Sequence, residues 1–289
     1  MMRIKDKSVK EVEELVETAL SVGINAFDLA DIYGRGRCEE LLGLVLKNRP
    51  DLREKMWIQS KCGIRIEEFT YFDFSKDYII KSVDGILQRL KIDHLDSLLL
   101  HRPDALMESD QVAEAFDLLY KQGKVRDFGV SNQNPMMMEL LKKDVKQPLA
   151  VNQLQLSVAF TPGFESGFHV NMEDSQAAMR DGSIFEYCKL HDVVIQAWSV
   201  LQFGYFKGNF VGNEKFQALN QVLDRLAIKY GVTSSTIAIS WILRYPAKMQ
   251  AVVGTTNPKH LREVSQAANF SLTRKEWYEI YLAAGNNLP

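Results

Sequence analysis

The chain has 289 residues, 46% of them hydrophobic and 25% charged, with a formal net charge of -2. That length suits one large domain or two of ordinary size around a substantial core, and the near-neutral balance gives no basis for binding nucleic acid or an acidic membrane surface. No apolar run reaches the roughly eighteen residues of a membrane span, and the opening segment Met1 to Lys7 lacks the apolar centre of a signal peptide. Cys38, Cys62 and Cys188 are scattered without metal-type spacing, which suits a reducing cytoplasm.

In chain order, Ser8 with Glu11 reads as a capping box ahead of Val9, Val12, Leu15, Val16, Ala19 and Leu20 at helical spacing, and Gly23 ends that helix. Phe27-Asp28 reads as a strand tip running into the loop Leu29-Ala30-Asp31-Ile32-Tyr33-Gly34. Cys38 to Leu46 is amphipathic. Met56 to Ser60 is a strand ending at Lys61, and Ser75 is a candidate cap for a helix through Leu90. Leu95 to Leu100 is a strand leading to His101-Arg102-Pro103-Asp104. A helix around Val112 to Leu119 ends at Gly123, and Val125 to Val130 is a strand ending in Ser131-Asn132. Pro135 suits a first helical turn. Leu149 to Leu156 is a strand, followed by a long loop from Phe160 to Asp181. A short helix then precedes the strand Val193 to Trp198. Helical patterns cover Phe216 to Tyr230 and Ser234 to Tyr245. The strand Gln250 to Val253 reaches Gly254, Pro258 opens a helix, and a last helix starts near Thr273.

Strict alternation of strand and helix predicts a parallel sheet covered by helices, and no linker or low-complexity segment interrupts it. A single (β/α)8 TIM barrel spanning residues 1–289 fits that pattern and length. In such a barrel the carboxyl ends of neighbouring strands share one face, which would gather an Asp, a Tyr, a Lys and a His. Alone, each of these is usually a turn, packing, solvated or structural residue.

Asp28, Tyr33, Lys61 and His101, in this order and with the flanks Asp-Leu-Ala-Asp-Ile-Tyr-Gly, Ser-Lys-Cys-Gly and Leu-His-Arg-Pro-Asp, resemble the catalytic tetrad of the aldo-keto reductase superfamily, in its bacterial short-tailed branch. The resemblance runs over nearly the whole chain. It implies reduction of aldehydes or ketones with NADPH. Tyr33 would be the general acid. Lys61 would lower its pKa from about 10, Asp28 would anchor Lys61, and His101 would orient the carbonyl. Asp31 and Asp104 match the flanks and are read as structural.

The cofactor assignments follow from the same resemblance, since no Gly-x-Gly-x-x-Gly turn marks a Rossmann site. Ser131, Asn132 and Gln153 would hold the carboxamide. Trp198 would stack on nicotinamide, where many relatives have Tyr. Ser199-Val200-Leu201 resembles the pyrophosphate loop, with Val200 in place of Pro. Gly254-Thr255-Thr256-Asn257 and His260 resemble the adenosine-phosphate loop, with Gly254 where many relatives carry Lys and His260 where they carry Arg. NADPH is therefore expected, with use of NADH possible. Phe160, Phe164 and Phe168, mixed with Gly163 and Gly167, suit either a lid over an apolar or aromatic carbonyl compound or a packed surface loop. His94, His101, His169, His191 and His260 show no ligand spacing, so no metal is expected.

One feature departs from the family. Its opening β-hairpin and most of its first strand have no counterpart, leaving seven strands and only Met1 to Ile4 as a possible strand tail. A seam would expose strand edges, which proteins usually cover, so another element or a partner chain is expected there. Two other functions follow as alternatives: a nicotinamide-binding regulator with little turnover, or an incomplete, inactive barrel.

Overall fold

The computed structural model describes residues 1–289 except 69, 170–174, 176–177, 179–181, 205–206 and 287–289. The chain forms two compact units, one of residues 1–152 with 254–258 and one of 153–253 with 259–289.

The first unit alternates as expected. After a 3-10 turn at Met2–Ile4 come α1 (Val9–Ser21), β1 (Ala26–Asp28), α2 (Arg37–Asn48), β2 (Trp57–Cys62), β3 (Ile64–Ile66), β4 (Thr70–Phe72), α3 (Lys76–Leu90), β5 (Leu95–Leu100), α4 (Ser109–Lys121), β6 (Val125–Ser131) and α5 (Pro135–Lys142), then the start of β7 (Leu149–Gln155). β1, β2, β5 and β6 are parallel neighbours in chain order, with Phe27 opposite Ile58, Lys61 opposite Leu99, and Leu100 opposite Val130. That register brings the carboxyl ends of β1, β2, β5 and β6 side by side. Every residue of β5 is buried, the mark of a strand covered on both faces. Its one carboxylate, Asp96, accepts from the Ile58 N–H at 2.8 Å and pairs with Arg53 at 3.0 Å.

The second unit carries the rest of β7, then α6 (Pro162–Phe168), α7 (Ile184–Leu190), β8 (Val194–Trp198), α8 (Gln217–Tyr230), α9 (Ser234–Leu243), β9 (Met249–Ala251), α10 (Pro258–Ser265) and α11 (Arg274–Ala283). β8 and β9 are parallel, with Gln196 opposite Gln250. No single helix among the described residues is long and apolar enough to cross a membrane.

Local chemistry accounts for several boundaries. Ser8 and Glu11 form the expected capping box at the start of α1. Thr273 and Glu276 repeat it on α11. Pro135 opens α5, where Asn134 accepts from the Met137 N–H at 2.9 Å. Ser75 precedes α3 but makes no side-chain cap; its own N–H donates to Asp73 at 3.0 Å. The antiparallel β3–β4 hairpin was not apparent from periodicity, because three-residue strands are too short to show alternation.

The long-loop expectation also needs correction. Phe164 is 5% exposed in α6 and packs edge-on against Phe185, Trp241 and Trp277. Phe168 meets Tyr281, and Phe160 closes a small bridge with Ser157. Phe164 is therefore a core residue of the second unit rather than part of a lid, with its ring contacts satisfied inside an aromatic cluster. The rest of the expected lid, from 170 onward, lies mostly outside the described residues.

Gly129 shows why β6 carries a glycine. A Cβ built there would lie 2.6 Å from the Val151 carbonyl oxygen and 2.7 Å from Leu99 Cδ2. Gly129→Ala should therefore destabilise the protein by about 1–3 kcal/mol, as overpacking in a closed core does. A lower urea midpoint at unchanged slope would show it.

Candidate active site

Lys61 is the centre of the site. It stands on β2 with no exposed surface, and Nζ lies 2.7 Å from each carboxylate oxygen of Asp28 at the end of β1. Nζ also donates to the Leu29 carbonyl at 2.7 Å and to the Tyr33 hydroxyl at 3.2 Å. A buried ammonium with these acceptors is held in one place. Burial is the largest single effect and works against the charge, but Asp28 and Tyr33 together outweigh it and the Lys61 pKa is raised. For Asp28, burial pushes upward and the Lys61 charge pulls downward, with a net lowering. The pair is therefore ionised at neutral pH.

Tyr33 sits five residues beyond the β1 tip, with its ring 4.9 Å from Lys61 Nζ and edge-on to His101 at 5.8 Å between centroids. Here the expected direction needs correction. Lys61 does pull the Tyr33 pKa down, but burial is the larger effect and the net shift is upward. Tyr33 therefore holds its proton at neutral pH. His101 follows β5 and is 8% exposed. Burial first, and the Lys61 charge second, lower its pKa to about 3. The ring is neutral, and its buried Nδ1 has no hydrogen-bond partner.

Sequence reasoning missed the layer behind the tetrad. Gln59 donates Nε2–H to Asp28 Oδ1 at 2.7 Å, and accepts from Ser97 Oγ at 3.0 Å. Gln59 lies two residues before Lys61 on the same strand, so both side chains share one face. That spacing was a usable signal. Asp31 accepts from Ser82 Oγ at 2.7 Å, with burial raising its pKa to about 6. Asp104 accepts from the Phe74 and Leu106 N–H groups. Both have the structural placement expected of them. Cys62 is fully buried, and burial raises its thiol pKa well above the ordinary value, so it is an unreactive core residue.

Among the expected cofactor residues, Ser131 ends β6 and accepts from Asn132 Nδ2 at 2.8 Å, with Asn132 in the left-handed region at φ 55°. Gly254 to Asn257 belong to the same unit as the tetrad. There Thr255 Oγ1 accepts from the Asn257 N–H at 3.1 Å and fixes the turn. Gly254 is open: a Cβ built on it would meet nothing nearer than the Arg3 guanidinium carbon at 3.7 Å. These features fit a carboxamide and an anion respectively. Gln153, Trp198, Ser199, Leu201 and His260 belong to the second unit. Gln153 donates to Gln196 at 3.0 Å, and Gln196 to Gln250 at 2.9 Å, forming a ladder across β7, β8 and β9. Trp198 ends β8, Ser199 has φ 55°, and Ser199 with Leu201 lies in the turn closed by the Gln202 N–H at 2.8 Å. His260 is exposed on α10. No group of three or more His, Cys, Asp or Glu side chains among the described residues is placed to share a metal ion.

A buried Asp–Lys pair thus holds a protonated Tyr beside a neutral His at the ends of successive parallel strands. The family model "Aldo/keto reductase family" matches residues 1–283. The chain is 35% identical over 289 residues to the oxidoreductase YdhF of Escherichia coli K12, covering 98% of this chain and 90% of that protein. It is 32% identical over 287 residues to a 6-dehydroglucose reductase of Agrobacterium fabrum C58, covering 96% and 89%. An aldo-keto reductase from Klebsiella pneumoniae, solved with NADPH, shares the fold at a TM-score of 0.75 and 20% identity, over 96% of this chain and 87% of that one. The chain belongs to the aldo/keto reductase family and is an NAD(P)H-dependent oxidoreductase acting on carbonyl groups.

Proposed function

We propose that this chain reduces aldehydes or ketones to alcohols with NADPH, and that Tyr33 delivers the proton. The observation that carries the reading is the 3.2 Å contact of the Tyr33 hydroxyl with an ammonium that Asp28 holds in place. The bound dihydronicotinamide supplies the hydride, and the NADPH bound to the Klebsiella neighbour supports that choice of cofactor.

As the carbonyl oxygen gains negative charge, the Tyr33 O–H gives it a proton and the C–OH bond is completed. The phenolate left behind is stabilised by Lys61, whose charge counters the cost of burial. His101, being neutral, orients the carbonyl oxygen with a ring N–H and does not serve as the acid. Ser131, Asn132, Gln153 and Trp198 would hold the nicotinamide. Ser199 and Leu201 would meet the pyrophosphate, and Gly254 to Asn257 with His260 the adenosine end. The substrate is a small carbonyl compound, consistent with the reductase name of the Agrobacterium relative.

The chain acts as one domain, since one family model runs from residue 1 to 283. Its three cysteines are buried and form no disulfide, which fits the reducing cytoplasm. The Met2–Ile4 turn packs within the first unit, where Cys38 Sγ donates to the Met2 carbonyl at 3.4 Å and Ile4 is 1% exposed.

Oxidation of NADPH in the presence of an aromatic aldehyde, with the alcohol measured as product, tests this reading. Absence of alcohol would refute it, and equal KM values for NADPH and NADH would remove the preference for NADPH. Because His101 titrates near pH 3, it is already neutral well below physiological pH. The kcat profile should therefore show no His101 inflection between about pH 5 and 8, where an ordinary imidazole would titrate. An inflection there that His101→Gln removes would contradict its neutral role.

A further inference from the structure

We propose that Arg3 is a phosphate-binding residue for the dinucleotide, supplying from the start of the chain the cation that the Gly254 loop lacks. This rests on the cofactor reading above. A Cβ built on Gly254 would lie 3.7 Å from Arg3 Cζ, 3.8 Å from Nε and 3.9 Å from Nη1, so the guanidinium lies over the open backbone of that glycine. Its place is set by the residues on either side. The Met2 carbonyl accepts from Cys38 Sγ, Ile4 is buried, and the Ile4 carbonyl accepts from the Lys7 N–H at 2.9 Å.

The side chain itself is exposed and makes no hydrogen bond or ion pair among the described residues. Other arginines of the same unit are engaged. Arg49 meets Glu13, Glu17 and Asp51, Arg53 meets Asp96, and Arg65 meets Glu67 and Asp73. Gly254 opens the run Gly254 to Pro258, which contains no acidic residue and includes Thr255 and Thr256. A planar fork of N–H donors without a carboxylate partner suits the oxygens of a phosphate. A dinucleotide offers two sources of that chemistry, the pyrophosphate and, in NADPH, the 2′-phosphate.

The test is dissociation constants for NADPH and NADH, by quenching of tryptophan fluorescence, for the wild type, Arg3→Gln, Arg3→Lys and the double variant Arg3→Gln/Gly254→Lys. Arg3→Gln should weaken NADPH about tenfold, the size of one charge-assisted contact near the surface, with an unchanged thermal transition because Arg3 is exposed. Arg3→Lys should keep most of the affinity. Gly254→Lys, which has room for a side chain, should restore it in the Gln background. Loss for NADPH alone assigns the 2′-phosphate; equal loss for NADH assigns the pyrophosphate. An unchanged Kd in Arg3→Gln while the wild type binds NADPH overturns the proposal and leaves the cofactor reading standing. So does a loss that neither lysine repairs, since that would be packing and not charge. A wild type that binds neither dinucleotide overturns the cofactor reading, and the role of Arg3 with it.

Discussion

Replacing Tyr33 with Phe should lower kcat for aldehyde reduction about 10³-fold while leaving NADPH affinity within about twofold, because the hydroxyl is the proton source and only the O–H is lost. That factor corresponds to about 4 kcal/mol of transition-state stabilisation. The ring keeps its edge contact with His101 and its place beside Lys61, so the fold should be undisturbed. Steady-state rates with an aromatic aldehyde, together with fluorescence titration of NADPH, separate the two effects. A variant that kept more than about a tenth of wild-type kcat would point to another acid. His101 is a poor alternative, because a ring with a pKa of about 3 has no proton to spare as a cation at neutral pH.

Lys61→Met should damage both chemistry and stability. The ammonium touches Asp28, the Leu29 carbonyl and Tyr33 from a position with no exposed surface. Removing it takes away the charge that holds the Asp28 carboxylate ionised, though Gln59 still donates to Oδ1. Breaking one side of a buried pair costs about 3–5 kcal/mol, because the other charge is left without compensation. The Tyr33 pKa, already raised by burial, would rise further without the Lys61 charge. The expected result is a kcat lower by at least about 10²-fold and a markedly lower urea midpoint. The sign of the pH effect follows from Asp28. Its folded pKa is depressed in the wild type, so its stabilisation is present above the unfolded value of about 3.9 and is lost as pH falls through the folded value. In Lys61→Met that acid-side loss should shrink, since the carboxyl would no longer be held ionised. An unchanged midpoint would mean that the pair contributes nothing to the fold.

Much of this was legible in the residues. The parallel strands β1, β2, β5 and β6 lie close to where their apolar runs placed them, and the four tetrad residues meet because each ends or closely follows a strand in one parallel register. The capping box at Ser8 and the proline at the start of α5 are local chemistry and were read as such, whereas Thr273 was read only as a helix start and its box with Glu276 was missed. What failed depended on distant partners. Phe164 suited a lid or a packed surface loop equally in sequence, and it is in fact buried by Trp241 and Trp277, far along the chain. The direction of the Tyr33 shift depends on how deeply the ring is buried, which sequence does not state. Arg3 gained its place over Gly254 across more than two hundred residues of chain, and nothing in its neighbours announced that. Gln59 was the nearest miss, since strand periodicity put it on the Lys61 face.

The most direct test of the central claim is a single turnover. The protein saturated with NADPH is mixed with excess aromatic aldehyde, and nicotinamide absorbance and alcohol are followed together. One alcohol should form for each NADPH consumed, and a Tyr33→Phe protein should bind NADPH but form none on the same timescale. NADPH bound and never consumed by the wild type, or alcohol formed equally fast without the Tyr33 hydroxyl, would contradict that claim.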